Sequence, residues 1–148
     1  MSESAALRCW LNQAEAGQRG DWDAVMGCLA PDCEWTLTPT GLRLSGAEAI
    51  LNFMRAGMAA GERAPPQIKS AFGTERDGVF EYVSRGVGTA SAADFAKSLS
   101  GSSSNQAVGV EPSAGASYEF HVCFVFHLDE DGRIAKVREY FAALPPAA

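Results

Sequence analysis

A chain of 148 residues, 47% hydrophobic and 20% charged, has the composition of an ordinary globular protein. Its length suits one domain, able to bury roughly 70% of the surface that its unfolded chain exposes without help from a metal or a disulfide. The formal net charge of -6 disfavours nucleic acid or an anionic membrane as partner, which leaves a small molecule or a second copy of the chain.

The N-terminal stretch MSESAALRCWLNQ carries Glu3 and Arg8 and lacks the continuous apolar run of a secretory signal. No segment approaches the roughly 20 apolar residues that span a bilayer, so a cytoplasmic protein is expected. Leu7, Trp10, Leu11 and Ala14 recur at helical spacing before the break at GQRGD. Asp21 then stands where a second helix would be capped, with Trp22, Val25, Met26 and Leu29 as its apolar stripe and Pro31 at its end. In CEWTLT the period changes: Cys33, Trp35 and Leu37 alternate with Glu34, Thr36 and Thr38, the pattern of a half-buried strand. Ser45 and Glu48 have capping-box spacing ahead of a third helix with Ile50, Phe53, Met54 and Met58 on its apolar side. The remainder reads as two antiparallel hairpins: QIKSAFGTE with VFEYVSRGVGT about RDG, and YEFHVCFVFHL with RIAKVREYFA about DEDG. Between them lies an Ala/Ser/Gly-rich connection, where Ser91 and Asp94 suit a single helical turn around Phe95 and Leu99. No repeat or linker divides residues 1–148. Helices grouped on one face of an antiparallel sheet make an α+β layer fold.

The strand faces raise the functional question. Tyr118, Phe120, Val122, Phe124 and Phe126 form an aromatic file that must face the helices. In the closing strand Val137, Glu139 and Phe141 share one face, so a carboxylate stands in an apolar file. In VFEYVSRGVG either file suits burial. With its valines inward, Arg85 lies on the same side as Glu139. An unpaired buried charge costs several kcal/mol, so two such groups suggest an ion pair or the polar lining of an apolar cavity.

His121 and His127, six positions apart in a strand, stand roughly 20 Å from each other, too far to share one metal ion, and no metal site or nucleotide loop is expected. The four cysteines show no paired spacing and read as buried free thiols.

GDWDAVMGCLAPDCEW, the GAEAILNFM helix after a Gly-containing turn, and the closing DEDGRIAKVREYF together resemble the SnoaL-like branch of the nuclear transport factor 2-like superfamily. The resemblance covers nearly the whole chain. It implies a cone-shaped α+β barrel, three N-terminal helices packed on a curved, mostly antiparallel sheet, in a superfamily of isomerases, cyclases, dehydratases, epoxide hydrolases and non-catalytic binders. Set against limonene epoxide hydrolase, the arginine of its R-x-D strand falls on Arg85 and its closing-strand acid on Glu139. Its second acid is replaced by Val87, and its water-binding Tyr and Asn by Trp35 and Leu37. Ketosteroid isomerases place their base near Leu37 or Thr38, where no carboxylate stands. For SnoaL-like polyketide cyclases the matching acid is again Glu139.

The expectation is a cofactor-free enzyme acting by general-base chemistry on a small apolar polyketide- or terpenoid-like molecule. Glu139 and Arg85 would be catalytic, and Trp35, Leu37, Val87, Tyr118, Phe120, Val122 and Phe141 would line the pocket. The alternative is a non-catalytic binder of the same fold. The outer file His121, Cys123 and Val125 suits a homodimer in either case.

Overall fold

The computed structural model describes residues 3–99 and 114–144. α1 (Ala5–Gln18) starts at Ser4, whose hydroxyl accepts the Leu7 amide at 3.1 Å, and buries Ala6, Leu7, Trp10 and Ala16. α2 (Trp22–Cys28) starts at Asp21, the expected cap, which accepts the Ala24 amide at 3.2 Å. The chain then enters β1 (Leu29–Thr38) directly. Pro31 does not separate helix from strand as expected; it lies where the ladder is irregular, between Leu29 and Glu34, so its missing N–H breaks no regular pairing.

β2 (Arg43–Ser45) folds back on β1 with Ser45 opposite Glu34. Held in that ladder, Ser45 does not build the expected capping box. α3 (Ala47–Ala59) is instead capped by Gly46, at φ 92°, with no side-chain bond. There follow β3 (Gly61–Arg63), β4 (Gln67–Gly73), β5 (Asp77–Gly88), α4 (Ala92–Leu99), β6 (Ser117–Leu128) and β7 (Ile134–Leu144). The expected helical turn around Phe95 is α4, and the Ser-rich segment after it lies outside the described residues. The first hairpin turns earlier than expected, at Thr74–Arg76. There the Thr74 amide donates to the Asp77 carbonyl at 2.7 Å, and Asp77 and Gly78 already pair with β6. In the second, the Asp129 carboxylate accepts the Asp131 and Arg133 amides and Gly132 takes φ 76°.

The seven strands form one curved sheet in the order β2-β1-β7-β6-β5-β3, with β4 also on β5. Every pairing is antiparallel except β1 with β7, which is parallel. The path does not close on itself, so the fold is an open cone rather than a complete barrel. On the inner face the Phe126 ring lies over Gly78, where a Cβ would collide with it, and Trp10 stacks on Phe126 at 4.5 Å. This stack fixes α1 on the sheet through three aromatic surfaces: Trp10 also meets Phe124 at 4.7 Å and Trp35 at 5.9 Å. No described helix is long and apolar enough to cross a membrane.

Candidate functional site

The parallel joint between β1 and β7 sets Leu37 beside Glu139 and Trp35 beside Val137, while β6 brings Phe124 to the other flank of Glu139. A carboxylate thus occupies a row of otherwise apolar side chains. Its Oε1 accepts the Trp35 indole N–H at 3.0 Å. Trp35 is buried and held by Trp10 and, edge-on at 5.7 Å, by Phe124, so the donor is fixed before any ligand arrives. Protein crowds the carboxylate, yet the residue keeps part of its solvent access. Burial pushes its pKa up to about 7, while the indole bond and the charge of Arg63 pull the other way. Near neutral pH such a group both takes and releases protons readily.

Two groups outside the expected site set stand within electrostatic reach. Tyr82, on β5 opposite Val122, has its phenol pushed up to about 12 by burial and then by the Glu139 charge, so it stays protonated at any physiological pH. Arg63, on β3, donates to the Gly57 carbonyl at 2.7 Å and to Met58 Sδ at 3.6 Å, capping the C-terminal end of α3. Its charge bears on both Glu139 and Tyr82. Tyr118 completes the group. Its ring crosses Gly86 and Gly61, where a Cβ would come within 2.5 Å of the phenol oxygen, and that buried hydroxyl has no hydrogen-bond partner among the described residues. Leaving such a group unmatched costs about 1–3 kcal/mol.

Arg85 does not meet Glu139. It points from the outer face, exposed and ion-paired with Glu119, its Nη1 3.4 Å from Gln67 Oε1. The reason is the phase of β5: Phe80, Tyr82 and Ser84 face the helices, and the odd-numbered file carrying Arg85 and Val87 faces out. Val87 is accordingly 41% exposed and lines no inner surface. The other candidates lie on the inner face. Trp35, Leu37, Val122 and Phe141 are buried, and Tyr118 and Phe120 are half-buried. Arg63 escaped notice because it sits in a three-residue strand with no periodicity to read, and Tyr82 was left outside the expected site because either file of its strand suited burial.

The outer face carries its own polar chain. His127 Nδ1 meets the Asp77 carboxylate at 2.5 Å and its Nε2 meets Arg138 at 3.1 Å. A guanidinium only donates, so Nε2 accepts and Nδ1 holds the proton. Two open concavities lie on this side. One, of about 540 Å³, is lined by Asp32, Glu34, His127, Ala135, Lys136 and Arg138. The other, of about 330 Å³, is lined mostly by outer-file residues such as Glu81, His121, Cys123 and Tyr140. Glu139 lines neither.

The chain belongs to the SnoaL-like domain family, whose sequence profile matches residues 11–137. No curated protein matches it in sequence. Among solved structures it is similar to an LEH-like epoxide hydrolase from M. tuberculosis, at 19% identity, covering 93% of this chain and 82% of that one with a TM-score of 0.63. A chain from Xanthomonas campestris pv. campestris, provisionally described as a polyketide cyclase, is 22% identical over 92% and 89% of the two chains, TM-score 0.64. An NTF2-like protein of unknown function from Burkholderia pseudomallei is 18% identical over 93% and 91%, TM-score 0.65. At these identities the likeness establishes the fold, one whose members include cyclases, isomerases and epoxide hydrolases.

Proposed function

We propose that this protein is a cofactor-free enzyme in which Glu139 is the general base for an apolar, carbonyl-containing substrate of polyketide or terpenoid character. One observation carries the reading: the Glu139 carboxylate stands in an apolar row between Leu37 and Phe124, held by the Trp35 indole donor, where burial pushes its pKa up to about 7. Glu139 removes a proton from carbon or from water. Tyr82, always protonated, supplies the hydrogen bond to the oxygen on which charge develops, and Arg63 stabilises the same charge from the rim. Arg85 has no part in this scheme. The substrate enters over Phe120, Val122 and Phe141, and the working unit is a homodimer joined through the outer sheet face.

Deuterium uptake in heavy water at the carbon next to the carbonyl of enolisable polycyclic ketones, followed by mass spectrometry, tests the reading. The wild-type rate should rise through a midpoint near pH 7, and Glu139→Gln should lower it by about 10²–10⁴-fold. Exchange at the wild-type rate in that variant would falsify the assignment. Since Glu139 borders neither open concavity, a non-catalytic binder is the second reading. It predicts retention of a ketone without any deuterium uptake.

A further inference from the structure

On the outer face, β7 loses regular pairing on both flanks at the same level. Towards β1 the register passes from Leu29 opposite Ile134 to Glu34 opposite Lys136, so a longer stretch of β1 stands against Ala135 alone. Towards β6 it passes from Leu128 opposite Ile134 to His127 opposite Lys136, which leaves Ala135 as an extra residue. Irregularities of this kind bend a strand and re-aim its side chains. Here they open the concavity of about 540 Å³ lined by Asp32, Glu34, His127, Ala135, Lys136 and Arg138. Its volume is in the range of small-molecule sites, roughly 300–1,000 Å³, but its walls are charged.

Opposite charges line this opening without pairing. Asp32 and Glu34 come from β1, Lys136 and Arg138 from β7. Among the described residues no carboxylate lies within ion-pair distance of Lys136 or Arg138, although the exposed Arg85 has Glu119. Arg138 is also half-buried and oriented. His127 Nε2 accepts one of its N–H groups at 3.1 Å, and the Asp77 carboxylate fixes the imidazole through Nδ1 at 2.5 Å. The group that holds the guanidinium is therefore neutral, and Arg138 keeps its whole charge for a ligand. Arg138 stands opposite Thr36, so Glu34 lies diagonally from it across the joint, with Cα atoms roughly 8 Å apart.

We propose that this concavity binds a small zwitterion of the amino-acid class, with a carboxylate at one end and an ammonium at the other. The Arg138 fork takes the carboxylate and Lys136 adds its charge to the same end. Asp32 and Glu34 take the ammonium. Ala135, the extra residue of β7, has a side chain small enough to leave room for the carbon chain between them. The separation of the two walls favours an ω-amino acid over an α-amino acid. The site is independent of any chemistry at Glu139, and it adjoins the apolar residues Phe72, Val79, Val125 and Tyr140 without including them.

Backbone amide NMR of the full chain tests it, with glycine, γ-aminobutyrate and ε-aminocaproate as ligands and with acetate and methylamine as one-ended controls, all at millimolar concentration. The two longer zwitterions should give saturable shifts at Glu34, Ala135, Lys136 and Arg138. They should bind about 10-fold or more tighter than either control, the worth of one charge-assisted hydrogen bond, and tighter than glycine. Arg138→Lys keeps the charge but not the fork, and should weaken binding by about 10-fold or more, whereas a mere patch of positive charge would not notice the change. Asp32→Asn with Glu34→Gln should erase the preference for zwitterions over acetate. Urea midpoints that match the wild type identify these losses as losses of recognition rather than of folding. The proposal is overturned if no zwitterion gives saturable shifts at these residues, if acetate binds as tightly as the zwitterions, or if Arg138→Lys binds as the wild type does.

Discussion

Glu139 is held against its own hydration, and that has a measurable sign. In an unfolded chain it ionises near its ordinary value of 4.5, in the folded protein near 7. Between those values the folded state binds the extra proton, so stability falls as pH rises through the window and levels off above it. The full effect is at most roughly 3 kcal/mol, and less in proportion to the water that reaches the carboxylate. Glu139→Gln keeps an acceptor for the Trp35 indole and removes the charge. Urea unfolding of the two proteins should therefore agree at pH 4.5 and diverge towards pH 7, with the variant the more stable. A difference that does not change with pH would show that the carboxylate is not desolvated. A residue that costs stability in its charged form and disappears from the ledger when neutralised is the usual mark of a group kept for what it does.

At the scale of elements, the legible strands were those whose two faces differ in chemistry. β1, β6 and β7 alternate apolar with polar residues or carry an aromatic file, and their phases emerge as read, Glu139 among the inward residues. β5 offered valines on one face and Phe80, Tyr82 and three glycines on the other, so either suited burial, and the expected site was built on the valine file. The glycines are the inner face because rings from β6 lie on them: Phe126 over Gly78 and Tyr118 over Gly86. A side chain supplied by the neighbouring strand leaves no hydrophobic letter behind, and the misread phase carried Arg85 and Val87 with it. Gly86→Ala tests this directly, since its Cβ would meet the Tyr118 hydroxyl at 2.5 Å and the Glu62 backbone carbonyl closer still. It should cost about 1–3 kcal/mol in chemical denaturation. Gly27→Ala, in α2 with open space around it, should instead gain about 0.5–1 kcal/mol. Equal effects at the two positions would mean that the ring does not rest on the glycine.

At the scale of the molecule, the α+β order and its two hairpins were readable because each hairpin is local. The parallel joint of β1 to β7 was not, since its partners, such as Trp35 and Val137, lie far apart in sequence and neither strand names the other. The outer face presents Phe72 and Tyr140, 59% and 41% exposed, around half-buried Val79 and Val125. The homodimer proposed above would cover them. Val125→Asp should then turn a dimer into a folded monomer in sedimentation velocity, and a wild type that sediments as a monomer at every concentration would remove the proposal. The position of β7 also bears on how the protein is made. It is the last strand in the described chain and yet lies inside the sheet, between β1 and β6. While the ribosome is still adding residues, the nascent chain holds two unjoined pieces: helices with β1 and β2 on one side, β3 to β6 on the other. Trp35 and Phe124 then have no strand between them, and the edges of β1 and β6 stand open to other chains. The segment that closes this gap is the one that delivers the carboxylate, so a nascent chain that has not yet reached β7 lacks the candidate site.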